Sequence, residues 1–130
     1  MIDHLTIGVG DIARSRAFYD AALAPLGYRR SRDDGEGSGY SRADAGPDVV
    51  HPRDFWIVAV AGAAAAPGFH FAFKAADRPA VDDFHRSALG AGGSDYGAPG
   101  LRPRYHANYY GAFVADPDGH RIEAVCHTPT

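Results

Sequence analysis

Apolar and polar residues alternate with period two in two short stretches far apart in the chain, HLTIGV (residues 4–9) and HFAFKA (residues 70–75). That alternation is the mark of a strand, whose successive side chains point to opposite faces. In the first stretch Leu5, Ile7 and Val9 share one face while His4 and Thr6 share the other; in the second, Phe71 and Phe73 oppose His70 and Ala72. After each strand comes an aspartate and then a helical spacing of apolar residues: Ile12, Ser15, Phe18, Tyr19 and Ala22 after Asp11, and Val81, Phe84, His85 and Leu89 after Asp77. The two aspartates are predicted N-caps, Pro79 suits a first turn, and glycines follow both helices. Further strands are expected over Tyr28–Arg32, Gly39–Asp44 and Phe55–Val60, then weakly over 95–97, and over 109–115 and 121–126. The DPDG sequence of residues 116–119 is predicted as the turn of a hairpin rather than as a calcium loop.

The two halves are one unit repeated. With an offset of 66 positions His4 falls on His70, Ile7 on Phe73, Asp11 on Asp77, Phe18 on Phe84, Leu23 on Leu89 and Gly27 on Gly93. Each half reads β-α-β-β-β, so the expected class is α+β: two βαβββ modules forming a curved mixed sheet, a cup, with the helices outside. The modules span about residues 1–62 and 67–127 of a single domain, joined by the alanine-rich stretch 61–68.

Composition removes several classes of function. With 130 residues, 45% hydrophobic and 22% charged, the chain is long enough for one core and ordinary for a globular domain. A net charge of −3 with no basic-aromatic run argues against nucleic acid as a partner. One cysteine, Cys126, excludes an intrachain disulfide and a cysteine-rich zinc site. No spanning apolar run or leader pattern is legible, so no membrane partner and a cytoplasmic setting are expected.

The candidate chemistry lies on the cup strands. His4 and His70 hold equivalent positions, and Glu123 is a carboxylate in an apolar strand, where it needs a proton, a partner or a metal. Two imidazoles and one carboxylate suit a divalent ion, Fe, Mn, Zn, Ni or Co, which could polarise a carbonyl, stabilise an enediolate or activate dioxygen. The offset places Glu123 on Ile57, flanked by Trp56 and Val58, so three protein ligands are expected rather than four. Tyr109, Tyr110 and His106, just ahead of a core strand, are candidate catalytic or substrate-orienting residues; one of the two tyrosines should face the cup. His51, His85, His120 and His127 are read as ordinary packed or exposed histidines, Cys126 as a packed thiol, and Arg16 and Tyr28–Arg32 as largely solvated.

The stretches HLTIGVGDIARSRAFYDAALAPLGY, FHFAF and YYGAFVADPDGHRIEAVCH resemble the vicinal oxygen chelate superfamily, which includes glyoxalase I, extradiol dioxygenases and bleomycin-resistance proteins. The resemblance covers nearly the whole chain. It implies paired βαβββ modules, a metal on His4, His70 and Glu123, and a small substrate that chelates it through adjacent oxygens. The implied activities are lyase chemistry of the lactoylglutathione-lyase kind or extradiol-type dioxygenation. The other implied reading is a metal-free protein of the bleomycin-resistance type, with Phe55, Trp56, Tyr109 and Tyr110 lining the cup. A homodimer is compatible with either.

Overall fold

Asp11 accepts the amide N–H of Arg14 at 2.9 Å, and Asp77 that of Ala80 at 2.9 Å. Both helices therefore start where the caps place them. The computed structural model describes residues 1–45 and 54–130; His51 lies outside the described residues. In chain order the elements are β1 (Leu5–Val9), α1 (Ile12–Leu23), β2 (Tyr28–Asp33), β3 (Gly37–Arg42), β4 (Phe55–Ala59), β5 (His70–Lys74), α2 (Arg78–Gly90), β6 (Ser94–Leu101), β7 (Tyr110–Ala115) and β8 (Arg121–Cys126). A short 3-10 turn, Ala24–Leu26, closes α1 and ends on Gly27 in the left-handed region at φ 81°.

The repeat is visible in the topology. The strands form two four-stranded sheets of order β1-β4-β3-β2 and β5-β8-β7-β6. In each, the first strand runs parallel to the last and the rest pair antiparallel. The α+β class with one helix per module is as expected. Two details differ. β6 runs over eight residues instead of three, because register shifts at Asp95/Gly97 and Gly97/Gly100 break the period-two signal. On α2 the buried stripe is Val81, Phe84 and Ala88, with Leu89 38% exposed.

Each helix covers one face of its own sheet, and the two helices also touch each other. Phe55 of β4 lies in the core against Tyr19 and Tyr40, and its ring also meets Phe71 and Phe73 of β5, each at 5.5 Å. Tyr28 at the start of β2, the far edge of the first sheet, meets Phe73 at 5.3 Å. The Phe71 and Phe73 side of β5 therefore packs on the Phe55 side of the first sheet, and β5 pairs with β8 and not with β1. Thr6 and Trp56 lie on the other side of the first sheet from Phe55 and Ile57, and His70, Ala72 and Glu123 lie on the other side of the second sheet from Phe71, Phe73 and Ile122.

Polar contacts lock the same junction. The buried Tyr19 hydroxyl donates to Asp116 at 2.6 Å, and Asp116 also takes the amide N–H groups of Asp118 and His120. Burial pushes the Asp116 carboxyl above its usual range despite these donors, and burial pushes the Tyr19 phenol up further. His120, itself buried, bonds the Gly8 carbonyl through Nε2 at 2.7 Å. Replacing Tyr19 with Phe removes one donor from a buried carboxyl, and it should lower the unfolding free energy by about 1–3 kcal/mol. Urea unfolding of the two proteins at neutral pH checks this.

Candidate metal centre

Ile122 and Ala124 are fully buried on the α2 side of β8, so alternation turns Glu123 to the opposite, helix-free face. β5 pairs with β8 so that Ala72 lies opposite Glu123 and His70 opposite Arg121. His70 and Glu123 therefore share a face and meet: Nε2 of His70 is 3.7 Å from Oε2 of Glu123. The other carboxylate oxygen accepts a hydrogen bond from the Tyr109 hydroxyl. Glu123 is only 2% exposed. Gly111 forms the floor under this pair; a Cβ there would sit 3.0 Å from Oε1 of Glu123 and 3.2 Å from Cε1 of Tyr109.

His4 precedes β1 on the line of Thr6. Its Nδ1 bonds the Asp3 carboxylate at 2.7 Å. It does not join His70 and Glu123, and among the described residues no three His, Cys, Asp or Glu side chains gather as a metal-binding group. The counterpart of Glu123 differs from the expected one. Thr6, the equivalent of Ala72, pairs with Trp56, so the sheet register makes Trp56 and not Ile57 the residue matching Glu123. Ile57 is buried on the α1 side. Neither residue is a ligand type.

Of the two tyrosines, Tyr109 belongs to this site. The Tyr110 hydroxyl donates to Asp82 of α2 at 2.7 Å, and Arg78 of the same helix lies over its ring. Tyr110 thus occupies the helix-bearing face. Burial and then the bond to Glu123 push the Tyr109 phenol up, which keeps its proton in place for donation. His106 lies beside Tyr109, with ring centres 5.5 Å apart. Its Nδ1 accepts the Asn108 amide N–H, so Nε2 carries the proton and donates to Nδ1 of His127 at 2.9 Å. His127 also packs edge-on against Tyr109 at 5.3 Å. Nothing in the sequence marks His127 as part of this cluster, because its place depends on where the end of β8 meets the loop before β7.

Several other expectations resolve here. Phe55 is 1% exposed in the core, and it lines one cavity with Leu5, His70 and Ala72; Trp56 lies on the opposite side of β4 from Phe55. Arg16 bonds Ser38 and the Gly37 carbonyl, and Arg30 pairs with Asp20 and Asp33. His85 on α2 bonds Asp95, and the Cys126 thiol is buried against Thr128.

The donor set fits a divalent ion. Oxygen from a carboxylate and nitrogen from imidazole are the ligands of Fe, Mn, Zn, Ni and Co. The 3.7 Å between Nε2 and Oε2 is too long for a hydrogen bond, yet two donors each roughly 2.1 Å from one ion can stand that far apart. An imidazole whose other nitrogen is held by a carboxylate, as Asp3 holds His4, is the usual setting of a metal-bound histidine.

Comparison with known proteins agrees with this architecture. The family model described as the Glyoxalase/Bleomycin resistance protein/Dioxygenase superfamily matches residues 1–124. A glyoxalase/bleomycin resistance protein from Albidiferax ferrireducens T118 is similar at 29% identity and a TM-score of 0.81, over 97% of this chain and 98% of that one. A glyoxalase/bleomycin resistance protein/dioxygenase family enzyme from Burkholderia phytofirmans PsJN shares the fold at 17% identity and TM-score 0.71, with 98% of each chain covered. So does a glyoxalase I mutant, E144Q, from Zea mays, at 22% identity and TM-score 0.70, over 97% of this chain and 46% of that one. No curated protein matches the sequence.

Proposed function

The chain belongs to the glyoxalase/bleomycin resistance protein/dioxygenase superfamily, and on that premise we propose that it is a metal-dependent enzyme of the lyase/isomerase or dioxygenase type. Its small substrate binds by adjacent oxygens to one divalent ion held by His4, His70 and Glu123. Glu123 carries the reading: a carboxylate 2% exposed in an apolar strand, with His70 at one oxygen and Tyr109 on the other. A divalent ion supplies Lewis-acid polarisation of bound oxygens or a site for dioxygen.

The chain's own residues do the rest. Tyr109 fixes Oε1 of Glu123 and leaves Oε2 directed toward His70. Asp3 fixes the ring of His4 and leaves its Nε2 for ligation. The His106–His127 pair, beside Tyr109, is the group placed to accept or return a proton. Replacing Tyr109 with Phe should weaken metal binding about 10–100-fold with the fold intact; competition against a chromophoric chelator reads this directly.

Because His4 does not join His70 and Glu123 among the described residues of one chain, a second copy is proposed to complete each cup. Related by a twofold axis, His4 of one copy would meet His70 and Glu123 of the other, giving two equivalent sites. No helix among the described residues is long and apolar enough to cross a membrane, and Cys126 is buried and unpaired; a reducing, cytoplasmic setting is part of the same reading.

Acetohydroxamate, a small ligand with two adjacent oxygens, tests the function. It should bind the metal-loaded protein and not the chelator-treated one. Equal binding to both would favour a metal-free binding protein and overturn the reading.

A further inference from the structure

We propose that Arg102 anchors a carboxylate on the substrate, which is therefore an anion; this deepens the reading of the metal centre and rests on it. Arg102 follows β6, and its guanidinium folds back over that strand on the helix-free face. A Cβ on Gly97 would lie 3.4 Å from Nη2, and one on Gly100 would lie 3.1 Å from Nη1. The two glycines form the bed that lets the flat group rest on the strand, where the register shifts bend it. Nη2 donates to the Ala98 carbonyl at 2.7 Å, and Nη1 reaches the Leu101 carbonyl at 3.5 Å. Cζ stands 5.9 Å from the centre of the Phe113 ring. That same ring meets His70 at 6.1 Å, and Phe113 pairs across the sheet with Glu123. One aromatic side chain thus separates Arg102 from both candidate ligands of this sheet.

The guanidinium has no carboxylate among the described residues, whereas Arg14, Arg30, Arg42 and Arg86 each hold an aspartate. Backbone carbonyls orient it and leave N–H donors to spare, since a guanidinium has five. Arg121 lies on the same face opposite His70, stacked on Tyr96 at 4.5 Å and donating to its hydroxyl at 3.0 Å, again with no acid. Two guanidiniums therefore flank a single buried carboxylate, in a chain whose net charge is −3. A local positive surplus beside a metal selects an anionic ligand. The planar fork of arginine matches a carboxylate bidentately, which a lysine cannot do.

The test compares succinic acid monohydroxamate, which carries both a hydroxamate and a carboxylate, with its uncharged methyl ester on zinc-loaded protein. Wild type should bind the acid at least about tenfold more tightly than the ester. Arg102→Gln should remove that preference while keeping wild-type metal content and wild-type affinity for the ester. Arg102→Lys should retain part of the preference. Equal affinities in wild type, or a preference that survives in Arg102→Gln, would overturn the proposal. The wild-type comparison requires no variant, so a misfolded variant cannot hide the answer. If neither probe binds zinc-loaded protein better than chelator-treated protein, the metal reading itself fails, and this inference falls with it.

Discussion

Glu123→Ala should remain folded and lose its metal. Glu123 is buried, but the fold gains little from it, because a buried carboxylate is expensive to desolvate and among the described residues this one has a single hydrogen bond, from Tyr109. The Ile122 and Ala124 side chains that fasten β8 to the core are untouched. Metal-free wild type and variant should therefore unfold within about 1–2 kcal/mol of each other, the variation typical of a single substitution. Metal affinity should fall by more than about 100-fold, since loss of an outer-shell partner alone costs up to that much. Competition titration and urea unfolding on the same samples separate the two effects. A variant that keeps wild-type affinity would make Glu123 a structural carboxylate.

Mixing two variants that each fail to hold metal should restore metal. In the proposed dimer, His4→Ala and Glu123→Ala homodimers would each have both sites damaged. In a mixed dimer one site carries both substitutions, while the other has His4 from one subunit and His70 with Glu123 from the other, all intact. Random assortment of equal amounts gives mixed dimers in half the population, so the pool should recover about a quarter of the wild-type metal. The outcome follows from the face geometry. The aromatic contacts of Phe55 and Tyr28 with Phe71 and Phe73 use the sides of both sheets opposite the candidate ligands, and among the described residues of one chain no three ligand-type side chains gather. No recovery after verified subunit exchange would mean that each chain builds its own site.

Much of this was legible in the sequence because it depends on local rules. The caps at Asp11 and Asp77, the strand faces of His4 and His70 and the matched modules all follow from short-range periodicity. What escaped was set by pairing across strands. The full length of β6 is not legible in the sequence because its register shifts at Gly97 and Gly100 interrupt alternation. The counterpart of Glu123 slipped from Ile57 to Trp56 because a constant offset cannot track the sheet register, in which Thr6 faces Trp56 and Ala72 faces Glu123. Alternation says that Tyr109 and Tyr110 point opposite ways; only the position of Asp82 on α2 decides which one is turned from the site. Nor does a period-two pattern say which faces of two sheets meet, and among the described residues His4 does not join His70 and Glu123.

The most direct measurement is the metal content of the protein purified without a histidine tag, by elemental analysis before and after reconstitution with Fe, Mn, Zn, Ni and Co. The account predicts close to one divalent ion per chain. No stoichiometric metal under any of these conditions would contradict it and leave His4, His70 and Glu123 as polar lining of a binding cup.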